Sequence, residues 1–383
     1  MNVGVMGAGA IGCFVGGALA EQGVPVTLVG RARTAAELEA HGLTLVRMDG
    51  GRSRVAVQAM STEPSALASC DVVLCCVKSG ETATVGATLA GILARDAIVV
   101  SLQNGVRNAD VLRAALPGHV VLGGIVGFNV VAAGDGVFRQ TTTGLLVVEA
   151  APDPRVRELA GALARAGLEV EVTPELPAMQ WAKLMMNLNN AVSALSGAPT
   201  PVLLFTPGYR RVLAALIDEA LAVMRVAGVK PARLGAIPVS LFPTMLRLPT
   251  PVLRVALRAQ LRVDPEARSS MWQDLDRRRL TEVDFLNGEI VRLAEAHGLK
   301  APLNARIVEL IHEVEARREG SPNLTPEALE HAIGAARLRI AYAGRSSPWT
   351  SARTPPSLRS LHGTPSWWAF SRTRASRTTS AAS

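Results

Sequence analysis

Asn2-Val3-Gly4-Val5-Met6-Gly7-Ala8-Gly9-Ala10-Ile11-Gly12 carries the first strong structural signal of the chain. Val3 and Val5 stand at strand spacing, and a small-residue helix is expected to run on through about Ala20. Between them lies Gly-x-Gly-x-x-Gly. In that setting Gly7 makes the tight turn, Gly9 lets the backbone approach a pyrophosphate, and Gly12 lets helix and strand pack closely. The start of the helix offers unpaired N–H groups to phosphate oxygens. Gly7, Ala8, Gly9, Ala10, Ile11 and Gly12 are therefore expected to bind a dinucleotide.

A second strand, Val24 to Val29, ends in Gly30-Arg31-Ala32-Arg33. NAD-binding proteins place an Asp or Glu about 20 residues beyond the loop for the ribose diol. No acid stands there in this chain. The Arg31 guanidinium suits a 2′-phosphate, which it can bind through two parallel hydrogen bonds, so the expected cofactor is NADP(H); a plainly solvated Arg is the alternative.

From Arg33 to about Val172 strands and helices alternate, as in a doubly wound parallel sheet. Val72 to Val77 reads as a buried strand ending at Lys78-Ser79, and Ile98 to Leu102 as another ending at Gln103-Asn104-Gly105. Val120 to Val131 and Leu145 to Glu149 read as further strands, with Asn129 a weaker candidate lining residue. Ligands in such folds lie beyond the C-terminal ends of the strands. Lys78 and Asn104 are thus placed to meet a cofactor, although each taken singly equally suits a solvated Lys and a plain turn.

After Pro174 the pattern changes to long helical periods, which sets a domain boundary near residue 174. Lys183, Asn187 and Asn190 are four and three residues apart and line one ridge, while Leu184, Leu188, Ala191 and Leu195 line the adjacent face. A row of Lys and Asn flanked by uncharged sequence suits a polar cleft, or else a set of inter-helix hydrogen bonds. A later helix is expected over Met271 to about His297, with Leu275, Val283, Leu286, Ile290 and Leu293 on its apolar stripe, Glu282 at the stripe's edge and a stop at Gly298.

Composition excludes several classes. The 383 residues carry a net charge of +8, but residues 344–383 hold six arginines and no acid, leaving only +2 for the rest. The basic balance is a tail effect and not a nucleic-acid footprint. That tail, rich in Ser, Thr, Pro and Arg, is expected to be disordered and to reflect a non-native reading of the 3′ end of the coding region. Neither Met1 to Ala20 nor the uncharged stretch Leu184 to Tyr209 reads as a signal peptide or a membrane span. Cys13, Cys70, Cys75 and Cys76 have neither zinc-like spacing nor a disulfide framework and read as small buried hydrophobes, with Cys75 and Cys76 on opposite faces of their strand. The six His (41, 119, 297, 312, 331, 362) are scattered. We expect no metal, no nucleic-acid or membrane partner, and a cytoplasmic location; the apolar helices of the second half suit a homodimer.

Taken in order and spacing, the Gly loop, Arg31, Lys78, Gln103-Asn104-Gly105, Trp181-x-Lys183-Leu184-x-x-Asn187, Ser269-Ser270-Met271-x-Gln273-Asp274 and Thr281-Glu282-x-Asp284-x-x-Asn287-Gly288 resemble the ketopantoate reductase (2-dehydropantoate 2-reductase) family over about residues 1 to 343. The resemblance implies a Rossmann-like domain at 1–174, an all-α domain of the 6-phosphogluconate dehydrogenase-like type at 175–343, and an active site between them. It implies NADPH-dependent reduction of 2-dehydropantoate to (R)-pantoate in pantothenate and coenzyme A synthesis. Carried over, Lys183 is the general acid and touches substrate, Asn187, Asn190 and Ser270 hold the substrate, and Glu282, Lys78 and Asn104 line the cofactor. The family commonly has a second Asn four residues after the first; Ala191 stands at that place. The stretch Gly235 to Arg262 is longer than in compact members and is expected to cover the cleft. Reduction of another 2-oxo acid, or a non-catalytic NADPH sensor, are the competing readings.

Overall fold

The computed structural model of the protein describes residues 1–233, 237–257 and 268–334. The basic tail, and with it the expectation of disorder there, lies outside the described residues. Twelve strands form among the described residues: β1 (Val3–Met6), β2 (Val26–Val29), β3 (Leu43–Val46), β4 (Arg52–Val55), β5 (Ala59–Ser61), β6 (Val72–Cys75), β7 (Ile98–Ser101), β8 (Val120–Val126), β9 (Val130–Gly134), β10 (Val137–Gln140), β11 (Leu146–Glu149) and β12 (Val170–Thr173).

Eight of these strands make one sheet in the order β12-β11-β8-β7-β6-β1-β2-β5. From β5 to β8 every pairing is parallel. Val3 pairs with Val26 on one side and with Val72 on the other. Strand order therefore reverses at β1, and the crevice above the ends of β1 and β6 is the switch point at which doubly wound folds hold their ligands. Near-continuous Val, Leu and Ile in β1, β6 and β7 follow from burial on both faces.

Two features depart from a purely parallel sheet. β11 runs antiparallel to β8 and parallel to β12, so the far edge is reversed. A separate four-stranded sheet, β4-β3-β10-β9, also forms. It joins β3, from early in the chain, to the β9–β10 hairpin; the single strand expected from Val120 to Val131 ran β8 into the start of β9 and left β10 unread.

The first helix, Ala10–Glu21, packs against both β1 and β2 of the large sheet and β3, β9 and β10 of the small one. That sandwich explains its composition. Added methyl groups would meet Leu28 and Val5 from Gly16 at 2.8 and 3.0 Å, and Leu43 and Leu45 from Gly17 at 2.9 and 3.0 Å. Phe14 closes the layer edge-on against Phe128, with ring centroids 5.8 Å apart. The thiols of Cys13 and Cys75 are buried and pushed up to about 12, and burial raises Cys70 to about 11 and Cys76 well above its ordinary value. These cysteines are packing residues, with Cys75 and Cys76 reaching different core clusters on the two sides of the sheet.

The helical half is built around the helix Pro207–Val226 and a single apolar cluster that includes Leu184, Leu188, Ala191, Leu195, Leu216, Ile290 and Ile307. Of the stretch expected to cover the cleft, the helix Phe242–Leu246 packs on Pro207–Val226, and Thr250–Leu257 on the short helix Thr200–Phe205. The described part thus docks on the helical domain itself; the rest lies outside the described residues.

The long helix expected over Met271 to His297 is in fact two, Ser270–Asp276 and Asn287–Ala296, joined by a loop and one short turn. Three successive arginines, 277 to 279, interrupt it, with Arg278 in the left-handed region at φ +56°. The Arg279 N–H turns back to Asp274 O (2.8 Å), and the Thr281 N–H is drawn to Glu315 Oε1 (2.7 Å) on the helix Pro302–Arg317. Leu275 and Val283 still reach the same core, so the apolar spacing was met by two segments instead of one. The stop at Gly298 holds, with φ +67° just past the helix end.

Candidate active site between the two domains

The Gly loop takes the form its sequence demands. Gly7 sits at φ +106°, and an added Cβ would lie 2.7 Å from Val77 N and 2.8 Å from Cys76 C. At Gly12 the same atom would lie 2.2 Å from Gly7 O, whereas at Gly9 it would meet nothing within 4 Å. The first backbone turn of the helix closes from Cys13 N–H to Gly9 O (2.9 Å). The N–H groups of Ala10, Ile11 and Gly12 therefore point out of the helix start toward the open side at Gly9, a fit for the phosphates of a dinucleotide. Arg31 stands two residues beyond β2 at the start of the helix Ala32–His41, is 71 % exposed, and pairs with Glu81 Oε1 at 2.6 Å.

Lys78 and Ser79 follow β6, and Asn104 follows β7. Facing them, the helix Leu176–Asn187 brings up Lys183 and the arginine-bounded loop brings up Glu282. Lys183 Nζ donates to Asn104 Oδ1 (3.1 Å) and to Val126 O at the end of β8 (2.7 Å). Glu282 Oε1 accepts from the Ser79 N–H (2.9 Å) and Oγ–H (2.8 Å), and its Oε2 accepts from Asn104 Nδ2 (3.3 Å). Asn104 is thus shared between the amine and the carboxylate. Desolvation lowers the Lys183 amine to about 8, against the opposing pull of the Glu282 charge.

Lys78 crosses the cleft as well. Its ammonium lies 2.5 Å from Asp274 Oδ2 and donates to Leu280 O (3.2 Å). Burial raises the Asp274 carboxyl, with Lys78 pulling the other way. Farther back, Arg107 pairs with the buried Glu289 at 3.0 Å.

The remaining substrate candidates are distributed less tightly. Leu188 separates the helix Leu176–Asn187 from a second helix, Asn189–Ser196, so the Lys183, Asn187, Asn190 ridge crosses a helix junction. Ala191 is fully buried, while Asn190 is partly exposed and its carbonyl accepts from Ser269 Oγ (3.1 Å). Ser269 caps the helix Ser270–Asp276 through the Trp272 N–H (3.1 Å), which leaves Ser270 exposed at its first turn. Asn129 is exposed between β8 and β9. Sequence reasoning missed Ser79, the partner role of Asp274 and the Val126 carbonyl; the position of Ser79 next to Lys78 at a strand end was the available signal, and a backbone carbonyl has none.

Two family models match the chain: ketopantoate reductase PanE/ApbA over residues 3–153 and its C-terminal domain over 175–315. The chain belongs to the ketopantoate reductase family. A 2-dehydropantoate 2-reductase of Halobacterium salinarum is 31% identical over 325 residues, 84% of this chain and 100% of that protein. A solved PanE/ApbA family ketopantoate reductase from Ralstonia eutropha JMP134 is 35% identical with a TM-score of 0.72, covering 83% of this chain and all of that one. The ternary structure of D-mandelate dehydrogenase with NADH and anilino(oxo)acetate, 21% identical at a TM-score of 0.69 over 83% of this chain and 99% of that one, shares the fold. Ketopantoate reductases are oxidoreductases that act between a ketone and an alcohol. Among the described residues no group of three or more His, Cys, Asp or Glu is placed to hold a metal, and no helix is long and apolar enough to cross a membrane.

Proposed function

We propose that this protein reduces 2-dehydropantoate to (R)-pantoate with NADPH, the front half (to about residue 174) holding the dinucleotide and the helical half supplying the proton. The observation that carries this reading is the environment of Lys183. An ammonium has three N–H bonds, and two of them are spent on Asn104 Oδ1 and Val126 O. The third is free for a substrate oxygen. When that proton leaves, the neutral amine still has two N–H groups for the same two acceptors, so neither protonation state leaves a partner unsatisfied.

Gly7 to Gly12 and Arg31 would hold the nucleotide, with Lys78, Asn104 and Glu282 toward its reactive end. When bound, the reduced nicotinamide supplies a hydride to the carbonyl carbon. Lys183 meets the negative charge growing on the carbonyl oxygen and delivers its proton there, leaving a hydroxyl. Asn187, Asn190 and Ser270 are the groups we assign to the rest of the substrate. Glu282 holds Asn104 and Ser79 in place and keeps compensating charge near Lys183. Arg31 would trade its exposed pairing with Glu81 for a 2′-phosphate. Replacing it with Ala is expected to cut the preference for NADPH over NADH by about ten- to a hundredfold, the worth of a charged hydrogen bond; an unchanged ratio would remove Arg31 from that role.

NADPH oxidation followed with ketopantoate, ketoisovalerate and oxaloacetate side by side tests the assignment. Ketopantoate is expected to give the highest kcat/KM. A higher value with another 2-oxo acid would overturn the substrate, and no oxidation with any of them would overturn the enzymatic reading.

A further inference from the structure

Behind Glu282 lies a buried row of polar side chains of which the mechanism above uses only Ser79. Ser101, Gln103, Thr82, Asn108 and Ser79 are each between 1 and 7 % exposed, and they are linked in sequence. Ser101 Oγ donates to Gln103 Oε1 (2.9 Å) and Gln103 Nε2 to Thr82 Oγ1 (2.7 Å); Thr82 Oγ1 donates to Asn108 Oδ1 (2.9 Å), Asn108 Nδ2 to Ser79 Oγ (3.1 Å), and Ser79 Oγ to Glu282 Oε1 (2.8 Å).

Neighbours fix the orientation of both amides in the row, while the Thr82 hydroxyl has Ser79 O (2.9 Å) as a second acceptor beside Asn108 Oδ1. Gln103 Nε2 also faces the Val77 carbonyl (3.0 Å), and Asn108 Nδ2 also faces the Asn104 carbonyl (2.5 Å). A carbonyl only accepts, so both amides must present NH₂ there and cannot be flipped. Ser79 has one hydroxyl proton and two acceptors in reach, Glu282 Oε1 and Asn104 O at 3.0 Å. The carboxylate is the nearer and the stronger acceptor, and Asn104 O already takes the Asn108 amide, so the Ser79 proton turns to Glu282. The same Asn108 amide fixes the peptide that carries Asn104, whose side chain touches both Lys183 and Glu282.

Resting on the reading above, we propose that Asn108 is a positioning residue: by orienting the Ser79 hydroxyl and pinning the Asn104 backbone, it holds the Glu282 carboxylate in place, and through it sets the proton affinity of Lys183. The charged groups around this pair are Lys183 itself, Lys78 and Asp274 with Arg279 beside it, and the Arg107–Glu289 pair farther back. With the Ser79 hydroxyl or the Asn104 pin gone, the carboxylate is free to shift away from the amine, and the support its charge gives the Lys183 ammonium falls with distance. Lys183 then loses its proton at lower pH.

The test uses Asn108→Ala, Ser79→Ala and the double variant, with thermal melts to establish that each is folded. Ser79→Ala removes a single oxygen and serves if Asn108→Ala does not fold. Only four lysines (78, 183, 230 and 300) are present, so the ¹³Cε signal of Lys183, assigned with Lys183→Arg, can be titrated by NMR without substrate. Both single variants are expected to move its midpoint to lower pH. The alkaline limb of kcat is expected to follow, so that activity at pH 8 falls about three- to tenfold more than at pH 6. The double variant is expected to shift no further than Asn108→Ala alone, because the Ser79 hydroxyl acts only once Asn108 has oriented it. A Lys183 midpoint unmoved in the variants would overturn the proposal, whatever happens to turnover. A moved midpoint in a protein that oxidises no NADPH with 2-oxo acids would uphold it and sink the assigned reaction instead.

Discussion

At the scale of single residues, the site is an economy of protons around Lys183. Its amine, lowered to about 8, is poised where a general acid is both charged and willing to give up its proton. Reduction is expected to fall as pH rises through about 8, and the reverse oxidation, which needs the neutral amine, to rise over the same range; initial rates in the two directions measure this. Stability follows the opposite logic. Below about pH 8 the fold must carry an unfavourably desolvated ammonium. Between 8 and the ordinary value of 10.5 the folded protein sheds that proton while the unfolded chain keeps it, so native stability gains from this group as pH rises. Lys183, Asn104 and Glu282 were all visible as residue types at motif spacing. Ser79, Asn108 and the Val126 carbonyl were not, because what they do depends on which loops the sheet places side by side.

At the scale of elements, the Gly loop shows why a short motif can be read with so little else. Gly12 has no room for a Cβ, which would meet backbone at 2.2 Å, and backbone cannot rotate away as a side chain can. Gly12→Ala is expected to destabilise the protein by about 1–3 kcal/mol, the usual cost of overpacking, and to weaken NADPH binding. Chemical denaturation and fluorescence titration check the two effects. Gly9→Ala, facing open space, is expected to leave stability nearly unchanged while weakening NADPH. The four-stranded sheet escaped the sequence because its central partners, β3 and β10, lie about 90 residues apart and each is only four residues long. The early helix held an unread clue: residues buried on both faces need a layer on both sides. Apolar spacing likewise predicted one helix from Met271 to His297, since Leu275 and Val283 do share a core, but spacing is blind to the loop that delivers Glu282.

At the scale of the whole molecule, the two halves are joined by polar contacts across the cleft: Lys183 to Asn104 and Val126, Glu282 to Ser79, Lys78 to Asp274 and Arg107 to Glu289. Glu289 is buried and also faces Arg292 at 3.3 Å, so its charge balances two guanidinium groups. Glu289→Gln is expected to lower stability by about 1–2 kcal/mol in urea denaturation, tempered because Arg107 remains 44 % exposed. Active-site chemistry is expected to persist in that variant, because neither partner reaches Lys183. The doubly wound parallel sheet and the change to helices after Pro174 were legible from alternation and its loss, while the strand order was not. The pairing within the seam was not, since Arg107 and Glu289 read singly as ordinary surface charges and spacing alone does not say which loops meet.

The account stands or falls on the role of Lys183. NADPH binding and single-turnover reduction of ketopantoate should be measured together for wild type and Lys183→Ala. NADPH affinity is expected to stay near the wild-type value while the chemical step slows by about 10²- to 10⁴-fold, as for loss of a proton donor. A variant that binds NADPH and reduces ketopantoate at close to the wild-type rate would contradict it.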